Sequence, residues 1–134
     1  MPTELRPSYP VRTERLLLRP LTMADVDALV AYRSIPDLCR YVPFPPQSRE
    51  DIEARIHGVF ANRALTAEGQ HLTLGVELAA TGELVGDVIL FYHSHLHQGG
   101  EVGWILNPAY GGHGYATEAA REMLRLGFEE LGLR

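Results

Sequence analysis

The chain has no lysine: its 12 Lys-or-Arg positions are all arginine. That excludes lysine Schiff bases and a Walker-type phosphate loop, which both require the amine. A single cysteine, Cys39, excludes an internal disulfide and a cysteine-built zinc site. Cys39 is expected to act as a small buried hydrophobe rather than a nucleophile. Long apolar runs are also lacking. Leu16–Leu18 and Val88–Tyr92 fall far short of the roughly 20 residues of a membrane-spanning helix. Met1–Arg12 is polar and broken by prolines, so it does not resemble a secretory signal. A cytoplasmic protein with no membrane partner is expected. The net charge of −5 argues against nucleic acid as the main partner. What remains is the composition of one globular domain: 134 residues, 46% hydrophobic and 22% charged.

Residues 1–11 read as a flexible leader, and the domain is expected over 12–134. Arg12–Leu18 has the apolar centre of a strand. Thr22 and Asp25 have capping-box spacing, and the periodicity predicts a helix over Met23–Ser34. Ile35–Gln47 carries four prolines, which no regular helix or central strand tolerates. A loop is expected there, with one helical turn near Asp37–Tyr41. Ser48 is a second N-cap, and its helix is expected to reach Leu65 through Ile52, Ile56 and Phe60. His71–Leu78 alternates like a half-buried strand, and Leu84–Tyr92 is its hairpin partner. A loop over His93–Gly100, a strand over Glu101–Asn107, and a helix over Tyr115–Leu131 capped by Gly132 follow. The order is β-α-α-β-β-β-α, an α/β (α+β) fold.

The site-bearing stretch is Glu101–Ala120, EVGWILNPAYGGHGYATEAA. A strand runs through a glycine-rich turn directly into a helix. Gly111, Gly112 and Gly114 permit tight turning and close backbone approach to a ligand. The N–H groups from His113 to Thr117 would open the helix without partners. With the helix dipole they suit a phosphate or diphosphate. The bland alternative is a tight strand-to-helix turn and nothing more. A dinucleotide fingerprint fits poorly: Thr117 stands at the third glycine position, and Glu129 or Glu130 still lies within the helix.

Two passages resemble the GNAT superfamily of acyl-CoA-dependent N-acetyltransferases, most closely the branch of the ribosomal-protein N-terminal acetyltransferases. One is Thr13–Pro20, TERLLLRP. The other is Asn107–Ala119, which contains a counterpart of the family's diphosphate loop, Q/R-x-x-G-x-G/A, as Gly111-Gly112-His113-Gly114-Tyr115-Ala116. Glycine replaces the first Gln or Arg, which removes a side chain but keeps the amides. The resemblance implies a GNAT-like acyl-CoA N-acyltransferase fold with acetyl-CoA as cosubstrate and no metal. The backbone of Trp104, Ile105 and Leu106 would bond the pantetheine arm like an added strand. Gly111, Gly112, His113, Gly114, Tyr115 and Ala116 would cradle the diphosphate, and Thr117 would reach a phosphate from the first turn.

The same resemblance implies direct attack of a neutral primary amine on the thioester. The acceptor would be a small molecule or a protein N-terminus. Glu101 matches the place of a carboxylate base in some members; its alternative is an exposed strand-end glutamate. A backbone N–H near Leu106 would meet the oxyanion. The family domain normally continues beyond such a helix with a strand, a helix and a hairpin. A C-terminally incomplete domain is therefore expected, with the Glu101–Asn107 edge bare unless a partner or a second copy covers it. The competing reading is an acyl-CoA-binding module, or an inactive fragment, without turnover.

His93, His95 and His97 share one face at period two, but a polar loop is preferred over a metal site. Trp104 alternates with Val102 and Leu106, so its side chain is expected in the core. Arg121 and Arg125 are read as solvated helix charges, with contact to acidic cofactor groups as the alternative.

Overall fold

The structure is a computed structural model and describes residues 5–35, 46–67, 69–94 and 99–131. Among these the elements run β1 (Val11–Arg12), β2 (Leu16–Arg19), α1 (Val26–Arg33), α2 (Arg49–His57), β3 (His71–Leu78), β4 (Leu84–Ser94), β5 (Gly99–Leu106) and α3 (Tyr115–Leu126). The strands form one antiparallel sheet in sequence order. This is the mixed α/β class that the hydrophobic patterning indicates.

The single strand expected over Arg12–Leu18 is two strands. The Thr13 N–H donates to the Leu16 carbonyl at 2.9 Å, and the Leu16 N–H donates to Thr13 Oγ1 at 3.2 Å. This turn folds β1 back onto β2, pairing Val11 with Leu18. Upstream, Leu5 exchanges backbone hydrogen bonds with Leu65 at 2.7 and 2.9 Å and is buried in the core.

A 3-10 turn, Met23–Asp25, leads into α1, with the Thr22 N–H donating to Asp25 Oδ2 at 2.8 Å. Ser48 caps α2 as its sequence predicts: the Asp51 N–H donates to Ser48 Oγ at 3.2 Å, and the Ser48 N–H donates back to Asp51 at 3.0 Å. The helix stops at His57, well short of Leu65. Gly58 leaves the helical region at φ −111°, ψ −107°, and a 3-10 turn, Val59–Ala61, follows. That turn carries Phe60 into the core. The helical turn expected near Asp37–Tyr41 lies outside the described residues, as do Cys39 and the Gly132 cap.

The expectation of a half-buried β3 is corrected. Residues 72–76 are all buried, because helices cover both sheet faces. On one face Leu72, Leu74, Val76, Val88 and Leu90 pack with Ala119, Met123 and Leu126 of α3. On the other, Leu29, Tyr32, Ile52 and Ile56 of α1 and α2 pack with Phe60, Leu84 and Ile105. Each fully buried side chain of this kind contributes about 1.5–3 kcal/mol against leaving it exposed. Small residues make the second face possible. A Cβ on Gly75 would lie 2.8 Å from methyl groups of Leu21 and Leu84.

The last helix is also shorter than its apolar stripe. Its α-helical part ends at Leu126, and a π-helical turn runs over Gly127–Leu131. The change begins at Gly127, the poorest helix former in that segment.

Candidate functional site

Strand β5 begins two residues earlier than expected and points its C-terminal end at α3. Asn107 ties the junction down. Its N–H donates to the Val85 carbonyl at 2.8 Å, and its side chain accepts from the Ala109 N–H at 3.0 Å. Tyr110 closes the 3-10 turn Pro108–Tyr110 and donates its hydroxyl to Glu83 at 2.5 Å. The glycines then take distinct roles. Gly112 and Gly114 have φ of +84° and +78°, the left-handed region that favours glycine. Gly111 has φ −67°, which any residue adopts.

Gly114 is the N-cap of α3 and has no side chain to offer. The first N–H groups of an α-helix have no intrahelical acceptor. The loop therefore presents Tyr115, Ala116 and Thr117 at the positive end of a twelve-residue helix. His113 and Thr117 are exposed and Ala116 is half-buried. The His113 ring stacks on Tyr115 at 5.3 Å. This open, donor-rich turn fits a diphosphate chemically.

The strand residues divide by face. Ile105 is buried in the core under α1 and α2. Val102 and Leu106 pack against the core under α3. Trp104, on that same side, is 53% exposed, which corrects its expected place in the core. It sits on the terminal strand of the described sheet, where Val102 and Leu106 on either side reach the core and it does not. Among the described residues β5 pairs with β4 alone, so its outer edge is the one facing a prospective added strand.

Glu101 is exposed and stands opposite Phe91, which in turn stands opposite His71. Cross-strand partners share a sheet face. His71, Phe91 and Glu101 thus form one row across β3, β4 and β5. The His71 ring lies 5.7 Å from Phe91. Burial, then the charge of Arg55, lowers the His71 pKa below 6.5. Two residues along, Thr73 Oγ1 is buried with no hydrogen-bond partner, as is His71 Nδ1.

Two groups of site residues were not singled out by the sequence. The first is a cluster behind the glycine loop, where Thr13 and Arg15 grip Glu118. Both partners lie in the two passages that carry the family resemblance, which was the available signal. The second is a buried set behind β5: Tyr32, Arg33, Gln47 and Asp87. Nothing in the local pattern of β4 announces Asp87 as an ion-pair member.

Arg125 is held by Glu122 and by Glu129, the latter at 2.5 Å. Arg121 lines an open groove of about 710 Å³ with Thr13, Arg15, Gly114, Thr117 and Glu118. His95 and His97 lie outside the described residues, and β4 extends to include His93. Among the described residues no group of three or more His, Cys, Asp or Glu could hold a metal. Among them, too, no helix is long and apolar enough to cross a membrane.

The acetyltransferase (GNAT) domain family matches residues 15–134. The uncharacterized N-acetyltransferase YnaD of Bacillus subtilis is 32% identical over 123 residues, covering 92% of this chain and 68% of that protein. The FsC-acetyl coenzyme A-N(2)-transacetylase of Aspergillus fumigatus is 32% identical over 130 residues, covering 92% of this chain and 54% of that protein. A Vibrio cholerae structure, assigned provisionally as a ribosomal-protein-serine acetyltransferase, superposes with a TM-score of 0.77 at 28% identity. It covers 96% of this chain and 71% of that one.

Proposed function

This chain belongs to the GNAT acetyltransferase family, and we propose that it moves an acetyl group from acetyl-CoA to a primary amine by direct attack. The observation that carries the reading is the start of α3, which has no side-chain cap and is reached from β5 through two left-handed glycines. The N–H groups of residues 112–117 hold the diphosphate. The backbone of Trp104, Ile105 and Leu106 accompanies the pantetheine arm as an added strand would. Acetyl-CoA supplies the activated acyl group.

The amine nitrogen must be neutral to attack the thioester carbonyl. As the C–N bond forms, the carbonyl oxygen becomes an oxyanion, and a backbone N–H near Leu106 donates to it. Collapse expels the CoA thiolate. Glu101 lies five residues before Leu106 on an extended strand, about 17 Å away at the usual rise per residue. It therefore takes the amine proton through water rather than by direct contact.

An acidic chain at −5 attracts a cationic acceptor, a polyamine or a protein N-terminus among them. Likeness to the Vibrio cholerae protein favours a ribosomal protein as the acceptor.

The test is calorimetric titration with acetyl-CoA and desulfo-CoA, followed by an amine screen. Saturable binding of both, weakened by Gly114→Glu, is expected. Turnover that falls at least tenfold in Glu101→Gln and is partly regained at high pH supports the base. Binding without turnover for every amine favours a binding module. No binding by folded protein overturns the reading.

A further inference from the structure

The two passages that carry the family resemblance are separated by about a hundred residues, yet they form one side-chain unit. The turn Thr13–Leu16 aims three donors at a single carboxylate. Thr13 Oγ1 donates to Glu118 Oε2 at 2.5 Å, and the Arg15 backbone N–H donates to the same oxygen at 2.9 Å. Arg15 Nε donates to Oε1 at 2.7 Å. Held this way, the guanidinium lies over the Tyr115 ring at 4.7 Å and donates through Nη1 to the His113 carbonyl at 2.8 Å.

That last contact has a directional effect. A trans peptide is planar, with its C=O and N–H pointing to opposite sides. Fixing the His113 carbonyl toward Arg15 turns the Gly114 N–H away from Arg15. Gly114, on the far side of this peptide, has no Cβ to restrict its turning, so a contact on the carbonyl is what fixes it.

Charge adds a second reason for the contact. Glu118 occupies the first turn of α3, where an unneutralised carboxylate would repel an incoming diphosphate. Partial burial raises the Glu118 carboxyl, but the hydrogen bonds from Thr13 and Arg15 and the guanidinium charge outweigh it and hold it ionised below the usual range. Arg15 balances that charge at close quarters.

We infer that Arg15 and Glu118 are positioning residues: the pair latches the His113 carbonyl and so presets the 112–117 amides for a diphosphate-bearing acyl donor. The inference rests on the proposed acetyl-CoA reading. It differs from a surface ion pair of little consequence in predicting a ligand-selective effect.

The experiment compares CoA with S-acetylpantetheine, which lacks the diphosphate, on the wild-type chain, Arg15→Met, Arg15→Lys and Glu118→Gln. Loss of one charge-assisted contact predicts that Arg15→Met weakens CoA binding about tenfold and leaves S-acetylpantetheine unchanged. Arg15→Lys does not rescue, because one ammonium cannot span both Glu118 and the His113 carbonyl. Amide hydrogen exchange over 112–118, measured without ligand, is expected to speed up in Arg15→Met. CoA affinity within twofold of wild type, or equal loss for both ligands, overturns the inference. If Arg15→Met does not fold, Glu118→Gln carries the same comparison. A wild-type chain that binds neither ligand overturns the functional reading. The latch is then judged on exchange, where unchanged protection in the variant overturns it.

Discussion

Arg33 donates to both oxygens of Asp87, from Nη2 at 2.5 Å and from Nε at 3.1 Å, with the two side chains 5% and 4% exposed. Tyr32 donates its hydroxyl to the same carboxylate, and Arg33 Nη1 donates to Gln47 at 3.0 Å. Burial, then the Asp87 charge, pushes the Tyr32 hydroxyl well above its ordinary range, so it stays a donor. Asp87 stands opposite Ile105, so the cluster pins α1 to the strand that supports β5.

Removing one partner should cost far more than removing both. Asp87→Ala takes the carboxylate away from a buried guanidinium and is expected to lose about 3–5 kcal/mol. The double variant Arg33→Met/Asp87→Leu is expected to recover part of that, the remainder being the buried Tyr32 hydroxyl and Gln47, which lose their partners. Urea unfolding followed by circular dichroism measures both. A loss below about 1 kcal/mol in Asp87→Ala, the range of a surface pair, would contradict a buried role.

The three loop glycines should respond differently to alanine. At Gly112 and Gly114 the left-handed backbone makes a Cβ cost about 1–2 kcal/mol. At Gly111 the φ of −67° imposes no such cost, and a Cβ there would meet the Pro108 carbonyl oxygen at an ordinary 3.4 Å. Thermal midpoints and CoA affinities should drop for the first two and hold for Gly111→Ala. The same geometry should admit Gln or Arg at 111, the family's usual choices. Equal losses at all three positions would refute this ranking.

Stability should fall as pH drops through the imidazole range. The folded-state pKa of His71 lies below its ordinary value of 6.5, so the unfolded chain takes up the proton first. The stabilisation is full above about 6.5 and is lost as pH falls through the lower folded value. His71→Gln should remove this part of the slope, seen as a shallower change of urea midpoint between about pH 7.5 and 5. An unchanged slope would place the proton uptake elsewhere.

Trp104 is the only tryptophan, so its emission reports on the outer strand alone. With the ring half in solvent, Trp104→Ala should cost within about 0.5 kcal/mol. Acetyl-CoA titrated into the wild-type chain should shift the emission as the strand edge is covered. A blue, core-like emission without ligand would contradict the exposed placement.

Much of this was readable locally. Ser48 and Asp51 have capping spacing and do cap, because a cap is a contact three residues long. Gly112 and Gly114 mark the turn because few other residues tolerate its backbone. The end of α2 at Gly58 was harder: the apolar stripe continues through Phe60, and only packing shows that a tighter turn delivers it. Trp104 misled for a related reason. Alternation tells which face a strand residue takes, but whether that face is covered depends on where α3 lies.

The sequence by itself determined the mixed fold, the strand-loop-helix segment and the family, since each is written in short-range periodicity, glycine placement and motif. Tertiary structure alone decided three things. It buried both faces of β3, it set Asp87 against Arg33, and it brought Arg15 onto Glu118 and His113. The reason is range. Propensity and spacing act within a few residues, whereas an ion pair across 54 or 103 positions exists only once the whole sheet has brought its ends together.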